Sequence, residues 1–236
     1  MNILVTGASS VIGSAVAAAF ASGNQLFLTG RDESRLKEAE NLCRAGGAHA
    51  VISFTGDLSA GEEPILKAIN GKPIHLLIHA ASSLSRLRDE EIPNHRLCAY
   101  IQAEILTPLA LVQRLISAQS EPMALLFISS VLAILPTPRR AIYGRLKAVL
   151  EQSFLAFQPQ LKVRILRVSK VIDKDDSSVD LGKVSKVARR AMQETKTIVS
   201  YGISGRFLSA LYYTQPIVFG WLMNARRMLQ RARSKS

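Results

Sequence analysis

Short apolar runs punctuate the chain at 3–5, 25–29, 51–54, 74–78, 125–130, 163–168 and 197–201. Each is too short for a helix, so each reads as a strand. Between them lie stretches whose apolar positions recur at helical spacing: 14–21, 33–44, 97–117, 141–157 and 183–194. Asp32 is placed to cap the second of these, and Pro108 is expected to kink the third. Strand and helix alternate from the first residues onward, the pattern of an α/β domain.

Composition narrows this picture. A chain of 236 residues suits one α/β domain with a well-buried core. Hydrophobic content of 48% with 20% charged residues excludes a disordered chain and a bundle of membrane spans. The formal charge of +12, with a pI near 10.1, favours anionic partners: phosphorylated cofactors, acidic lipid surfaces or nucleic acid. No nucleic-acid recognition motif accompanies that charge, and a Gly-x-Ser-x-Gly elbow of serine hydrolases is absent. Cys43 and Cys98 have no metal-ligand spacing and read as reduced thiols in a cytoplasmic protein without a metal. The chain opens directly on a strand, so no signal peptide is expected.

Three segments carry candidate chemistry. The first strand runs into Thr6, Gly7, Ala8, Ser9, Ser10, Val11, Ile12 and Gly13, and then a helix. Strand, Gly-rich turn and helix N-terminus make a phosphate cradle, because unpaired N–H groups and the helix dipole face the turn. At the second strand tip stands Gly30, then Arg31, where a carboxylate would hydrogen-bond ribose hydroxyls and a guanidinium accepts a 2′-phosphate. NADP is therefore expected over NAD, with Asp32 as the counter-signal. After the third strand, Asp57 and Leu58 either border an adenine or form a solvated turn. In the third segment, Ser130 ends an apolar run, and Tyr143 and Lys147 lie four apart on one helix face. A hydroxyl, a phenol and an ammonium so arranged suit proton transfer to a carbonyl oxygen.

These residues, together with the His79-Ala80-Ala81 strand end, resemble the short-chain dehydrogenase/reductase superfamily from Asn2 to about Val199. The resemblance rests on the thirteen-residue step from Ser130 to Tyr143 and on the Tyr-x-x-x-Lys spacing. It implies a doubly wound parallel sheet (Rossmann fold) of about seven strands, NAD(P) binding and hydride transfer to or from a carbonyl. It also implies subunit pairing through helices such as 141–157, giving a homodimer or homotetramer. Carried over, Tyr143 is the general acid/base and Ser130 the carbonyl-polarising donor. Lys147 binds the nicotinamide ribose and, with the cationic ring, draws the phenol's pKa down.

Four departures from the family pattern stand out: Val11 for a glycine, His79 and Ser82 for the Asn and Gly of the fourth-strand motif, Glu104 for an Asn, and Ser169-Lys170 for Pro-Gly. Val11 is expected to push the pyrophosphate outward or force the loop to adjust. Glu104 is expected either to pair with Lys147 and dilute its pull on Tyr143, to relay protons itself, or to point into solvent.

The substrate side is short. Residues 174–178 replace the family's lid, which suits an open cleft for a bulky or surface-presented substrate and equally a degenerate site. A domain boundary is expected near 202. No acid follows Glu194, and 207–225 is uncharged, carries Tyr212, Tyr213 and Trp221, and is flanked by Arg206, Arg226 and Arg227. Such an apolar, basic-edged helical tail over 203–236 suits three placements: the surface of an anionic membrane on its inner face, packing against the domain or a second subunit, or a span. A similar tail in family members that reduce keto-sugars on polyprenyl carriers suggests a lipid-linked carbonyl substrate beside the small-molecule one. The alternative to a reductase is a catalytically weak dinucleotide-binding scaffold.

Overall fold

The computed structural model describes residues 1–85, 87–168 and 180–202. The expected tail at 203–236, the Ser169-Lys170 departure and the short segment at 174–178 lie outside these residues.

Seven parallel strands form one sheet: β1 (Asn2–Thr6), β2 (Gln25–Gly30), β3 (Ala50–Thr55), β4 (Leu76–His79), β5 (Ala124–Ser130), β6 (Lys162–Val168) and β7 (Ile198–Tyr201), in the spatial order β3-β2-β1-β4-β5-β6-β7. The α-helices are α1 (Val11–Ala19), α2 (Glu33–Ala45), α3 (Glu63–Ile69), α4 (Leu97–Ile101), α5 (Thr107–Ala118), α6 (Ala141–Leu155) and α7 (Leu181–Gln193).

The sheet is covered on both faces because its strands send alternate residues to two cores. On β1, Ile3 and Val5 join Val16, Ala17, Leu36, Ala39, Val184 and Ala188 from α1, α2 and α7. Leu4, between them, joins Ile65, Leu111, Leu115, Leu150 and Phe154 from α3, α5 and α6. Strand order reverses between β1 and β4, so the chain leaves those two strands in opposite directions and opens a crevice at their carboxyl ends.

The stretch expected as one kinked helix is three pieces. Between α4 and α5 runs a π-helical turn, Gln102–Leu106, and Pro108 sits in the first turn of α5. Proline lacks the N–H that would bond the carbonyl of Glu104, so the helix widens ahead of it instead of bending at it. The bulge turns Glu104 inward, where it is 2% exposed. The helix α3 went unread in the sequence.

Candidate active site

The Gly-rich turn folds tightly against the exit of β4. Gly7 has φ 77°, and a Cβ there would come within 2.5 Å of the Ala81 backbone. A Cβ on Gly13 would come within 2.2 Å of the Gly7 carbonyl oxygen. Ser10 caps α1: its hydroxyl donates to the Gly7 carbonyl at 2.7 Å and accepts from the Gly13 N–H at 3.0 Å. Val11 is the first residue of α1 and is exposed on the cleft wall, so the branched side chain leaves the cap intact and no loop distortion follows. Backbone this close, free of side chains and facing a helix N-terminus, fits a pyrophosphate.

A cleft of about 690 Å³ runs from this turn along the carboxyl ends of the strands. Its walls include Gly7, Ser9, Ser10, Val11 and Ile12 at the turn, Arg31, Asp57 and Leu58 at one end, and Ala80, Ala81, Ser130, Tyr143 and Lys147 at the other. Arg35, unread in the sequence, joins Arg31 on the wall. Asp32 caps α2, accepting from the Arg35 N–H at 3.0 Å, and its carboxylate lies 3.5 Å from the Arg35 guanidinium. Asp57 spends one oxygen on the Ser59 N–H at 2.8 Å, capping a short turn.

Gly13, His79 and Glu104 stand behind the cleft instead of on its wall. Gly13 is buried under the turn. His79 shares the sheet face of Leu77 and points toward α6, where it is 1% exposed between Phe127 and Phe154. Its Nδ1 lies 2.7 Å from the Thr6 hydroxyl. Burial, with Lys147 nearby, lowers its pKa to about 3, so the ring is neutral. The His79 side chain thus faces away from the crevice.

At the other end of the cleft, Ser130 ends β5 and accepts from the Leu132 N–H at 3.2 Å. Tyr143 and Lys147 are both buried on α6, one turn apart. Lys147 Nζ lies 3.4 Å from the Ala81 carbonyl, 3.6 Å from Glu104 Oε2 and 5.0 Å from the centre of the Phe127 ring. Glu104 Oε1 accepts from the Ser82 hydroxyl at 2.9 Å, the Leu84 N–H at 3.2 Å and the Ser83 N–H. Pairing with Lys147 is therefore the outcome among the three expected for Glu104, and the solvent-facing one is excluded.

Electrostatics run against one expectation. Burial, then the Glu104 carboxylate, push the Tyr143 phenol well above its ordinary value, opposed by a hydrogen bond with Ser130 and by Arg140. Burial lowers the Lys147 pKa while Glu104 and then Glu151 hold it up. The expected downward pull on the phenol omitted burial, which disfavours phenolate and is the largest influence on Tyr143.

Beneath the site lies a second buried pair. Glu151 on α6 accepts from Arg167 on β6 at 2.9, 3.2 and 2.5 Å and from the Ser129 hydroxyl at 2.6 Å. Neither residue was singled out in the sequence. Their signals were an arginine within an apolar strand and a glutamate four residues past Lys147, on the same helix face.

Residues 1–172 match the family model for short chain dehydrogenases. The chain is 25% identical over 237 residues to a hydroxysteroid 11-beta-dehydrogenase 1-like protein of Gallus gallus, covering 94% of this chain and 82% of the relative. It is 28% identical over 181 residues to an L-xylulose reductase of Caenorhabditis elegans, covering 72% and 69%. Among solved structures, a short-chain dehydrogenase from Sphingobium yanoikuyae in complex with NADPH superposes with a TM-score of 0.73 at 21% identity, covering 92% of this chain and 94% of that one.

Proposed function

The chain belongs to the short-chain dehydrogenase/reductase family and is an NAD(P)-dependent oxidoreductase; on that premise we propose that it reduces a ketone to an alcohol with NADPH, through Ser130, Tyr143 and Lys147. The observation that supports this reading is the convergence of a hydroxyl, a phenol and an ammonium on one end of a cleft whose other end carries Arg31 and a phosphate-sized turn. When bound, the reduced dinucleotide supplies the hydride that adds to the carbonyl carbon. Tyr143 gives its proton to the carbonyl oxygen, and Ser130 holds that oxygen by a hydrogen bond. Lys147 holds the ribose hydroxyls next to the reacting ring, and Glu104 fixes Lys147.

NADPH is preferred because Arg31 and Arg35 offer guanidinium forks at the adenosine end, where NADH has no phosphate to meet them. Fluorescence titration with the two dinucleotides tests this: NADPH binds at least tenfold more tightly, and equal affinities count against it.

Two partner assignments accompany the reading. A second copy of the chain pairs across α6, α4 and the π-helical turn, where Val149 and Leu106 are each 50% exposed and Ile101 lies nearby on the surface. Sedimentation checks it, a monomer being the contrary result. An anionic membrane surface attracts the C-terminal part, since residues 181–236 hold eleven of the thirty basic residues and a single acid, Glu194. On α7, Arg189 and Lys186 lie on the exposed face, whereas Lys183 pairs with Asp180 and Arg190 with Glu194. Among the described residues no helix is long and apolar enough to cross a membrane. Co-sedimentation with phosphatidylserine vesicles that weakens with salt supports the surface contact, and no binding opposes it.

A further inference from the structure

We propose that Glu104 is a positioning residue that cancels the charge of Lys147 beside Tyr143, so that the resting site holds a proton-donating phenol and is biased toward carbonyl reduction over alcohol oxidation. This rests on the reductase reading and adds a direction to it.

The geometry has two parts. One carboxylate oxygen of Glu104 faces Lys147 at 3.6 Å, with both side chains almost fully buried. The other collects the Ser82 hydroxyl and the N–H groups of Ser83 and Leu84. All three donors come from the segment leaving β4, and three donors on one oxygen suit an anion. The π-helical turn is what carries Glu104 to this point. The loop beside the cleft, the lysine and the bulged helix are thus tied through one side chain.

The charges around Tyr143 come from several elements. From α6 and its start come Lys147, whose Nζ lies 5.8 Å from the phenol ring, and Arg140. From β5 comes the uncharged Ser130, and from α4 the phenol of Tyr100, which packs in the same cluster. From the π-helical turn comes Glu104. Asp89 is engaged at the N-terminus of α6 by the N–H groups of Ala141 and Ile142. Behind Lys147, His79 is neutral and Glu151 is bound to Arg167. Glu104 faces the Lys147 ammonium at 3.6 Å, and at Tyr143 burial and then the Glu104 carboxylate outweigh the Ser130 hydrogen bond and Arg140, which disfavours phenolate.

A protonated phenol serves one direction. In reduction the Tyr143 O–H bond breaks and its proton goes to the carbonyl oxygen, while hydride from the reduced dinucleotide adds to carbon. The C=O π pair becomes the new O–H bond, the dinucleotide leaves oxidised, and the phenolate takes a proton from water. Oxidation needs the phenolate at the outset, a form this environment disfavours.

The test reads the phenol directly. Cofactor-free protein carrying tyrosine labelled with ¹³C at Cζ is titrated by NMR, with Tyr143→Phe assigning one signal among five tyrosines. Glu104→Gln keeps the shape and an acceptor but removes the charge, whereas Ser82→Ala removes a loop hydrogen bond and leaves the charge. The wild-type signal stays that of the phenol to about pH 10 or above, and Glu104→Gln brings its midpoint down by roughly one unit or more. Ser82→Ala leaves the midpoint in place. An unmoved midpoint in Glu104→Gln, or an equal shift in Ser82→Ala, overturns the charge role. Rates of ketone reduction and alcohol oxidation are then followed over roughly pH 6 to 10. Wild-type reduction stays level to about pH 9 while oxidation climbs about tenfold per unit, and Glu104→Gln moves both limbs down together. Faster wild-type oxidation than reduction at neutral pH overturns the direction. A wild-type protein that binds no NADPH and reduces no ketone refutes the reductase reading, and with it the direction. One that reduces ketones but fails the titration refutes the role of Glu104 alone.

Discussion

Glu151 and Arg167 join α6 to β6 directly beneath the helix turn that carries Lys147, and both side chains are at most 2% exposed. A buried pair of this kind is costly to halve, because removing one partner strands the other's charge in a dry interior. Glu151→Gln or Arg167→Met is therefore expected to destabilise the protein by about 3–5 kcal/mol. The double replacement Glu151→Leu with Arg167→Met should recover most of that loss. Denaturant melts of the three variants check it, and equal losses in all three would argue against a coupled pair.

Gly7 accepts no side chain. Its φ of 77° and the 2.5 Å approach to Ala81 leave a Cβ neither conformation nor room. Gly7→Ala should weaken dinucleotide binding by tenfold or more, about 1.4 kcal/mol per factor of ten. Isothermal titration with NADPH reads this, provided the circular dichroism spectrum is retained.

Arg31 discriminates between the two dinucleotides in the reading above. Arg31→Ala should reduce NADPH affinity by about 1.5–3 kcal/mol, the scale of a charge-assisted contact, and leave NADH affinity within about twofold. Arg35→Ala should follow the same pattern more weakly, since Arg35 is already shared with Asp32. Equal losses for both dinucleotides would place neither arginine on the 2′-phosphate.

His79 makes the fold acid-sensitive. Its folded pKa of about 3 lies below the ordinary 6.5, so the unfolded chain binds the extra proton first as pH falls. Stability attributable to His79 is complete above about pH 6.5 and declines toward pH 3 by at most about 1.4 kcal/mol per unit. Glu40, whose hydrogen bonds with Ser53 and Arg44 lower its pKa to about 2, adds a loss of the same sign only below about pH 4.5. His79→Asn should flatten unfolding free energy against pH between about 4.5 and 6.5. A slope identical to wild type would assign the acid sensitivity elsewhere.

Much of this was legible in the sequence for local reasons. Tyr143 and Lys147 share a helix face by spacing alone, and Ser130 ends a run too apolar to be anything but buried strand. The Gly7 turn declared itself by standing between a strand and a helix. Long-range packing was less visible. Pro108 suggested a kink, and only the observed helix shows that the disturbance falls before it and swings Glu104 inward. Arg167 and Glu151 are far apart in the chain, so their pairing depends on β6 lying under α6. The upward shift of the phenol was missed because it depends on how deeply Tyr143 is buried, which spacing does not report.

Deuterium transfer from 4-deuterated NADPH to a ketone, measured for wild type and Tyr143→Phe alongside NADPH affinity, tests the central claim most directly. The account predicts label on the alcohol carbon with wild type, a fall in rate of about 10²–10⁴ in Tyr143→Phe, and unchanged NADPH affinity. Transfer at an undiminished rate by Tyr143→Phe, or none by wild type across a range of ketones, would contradict it.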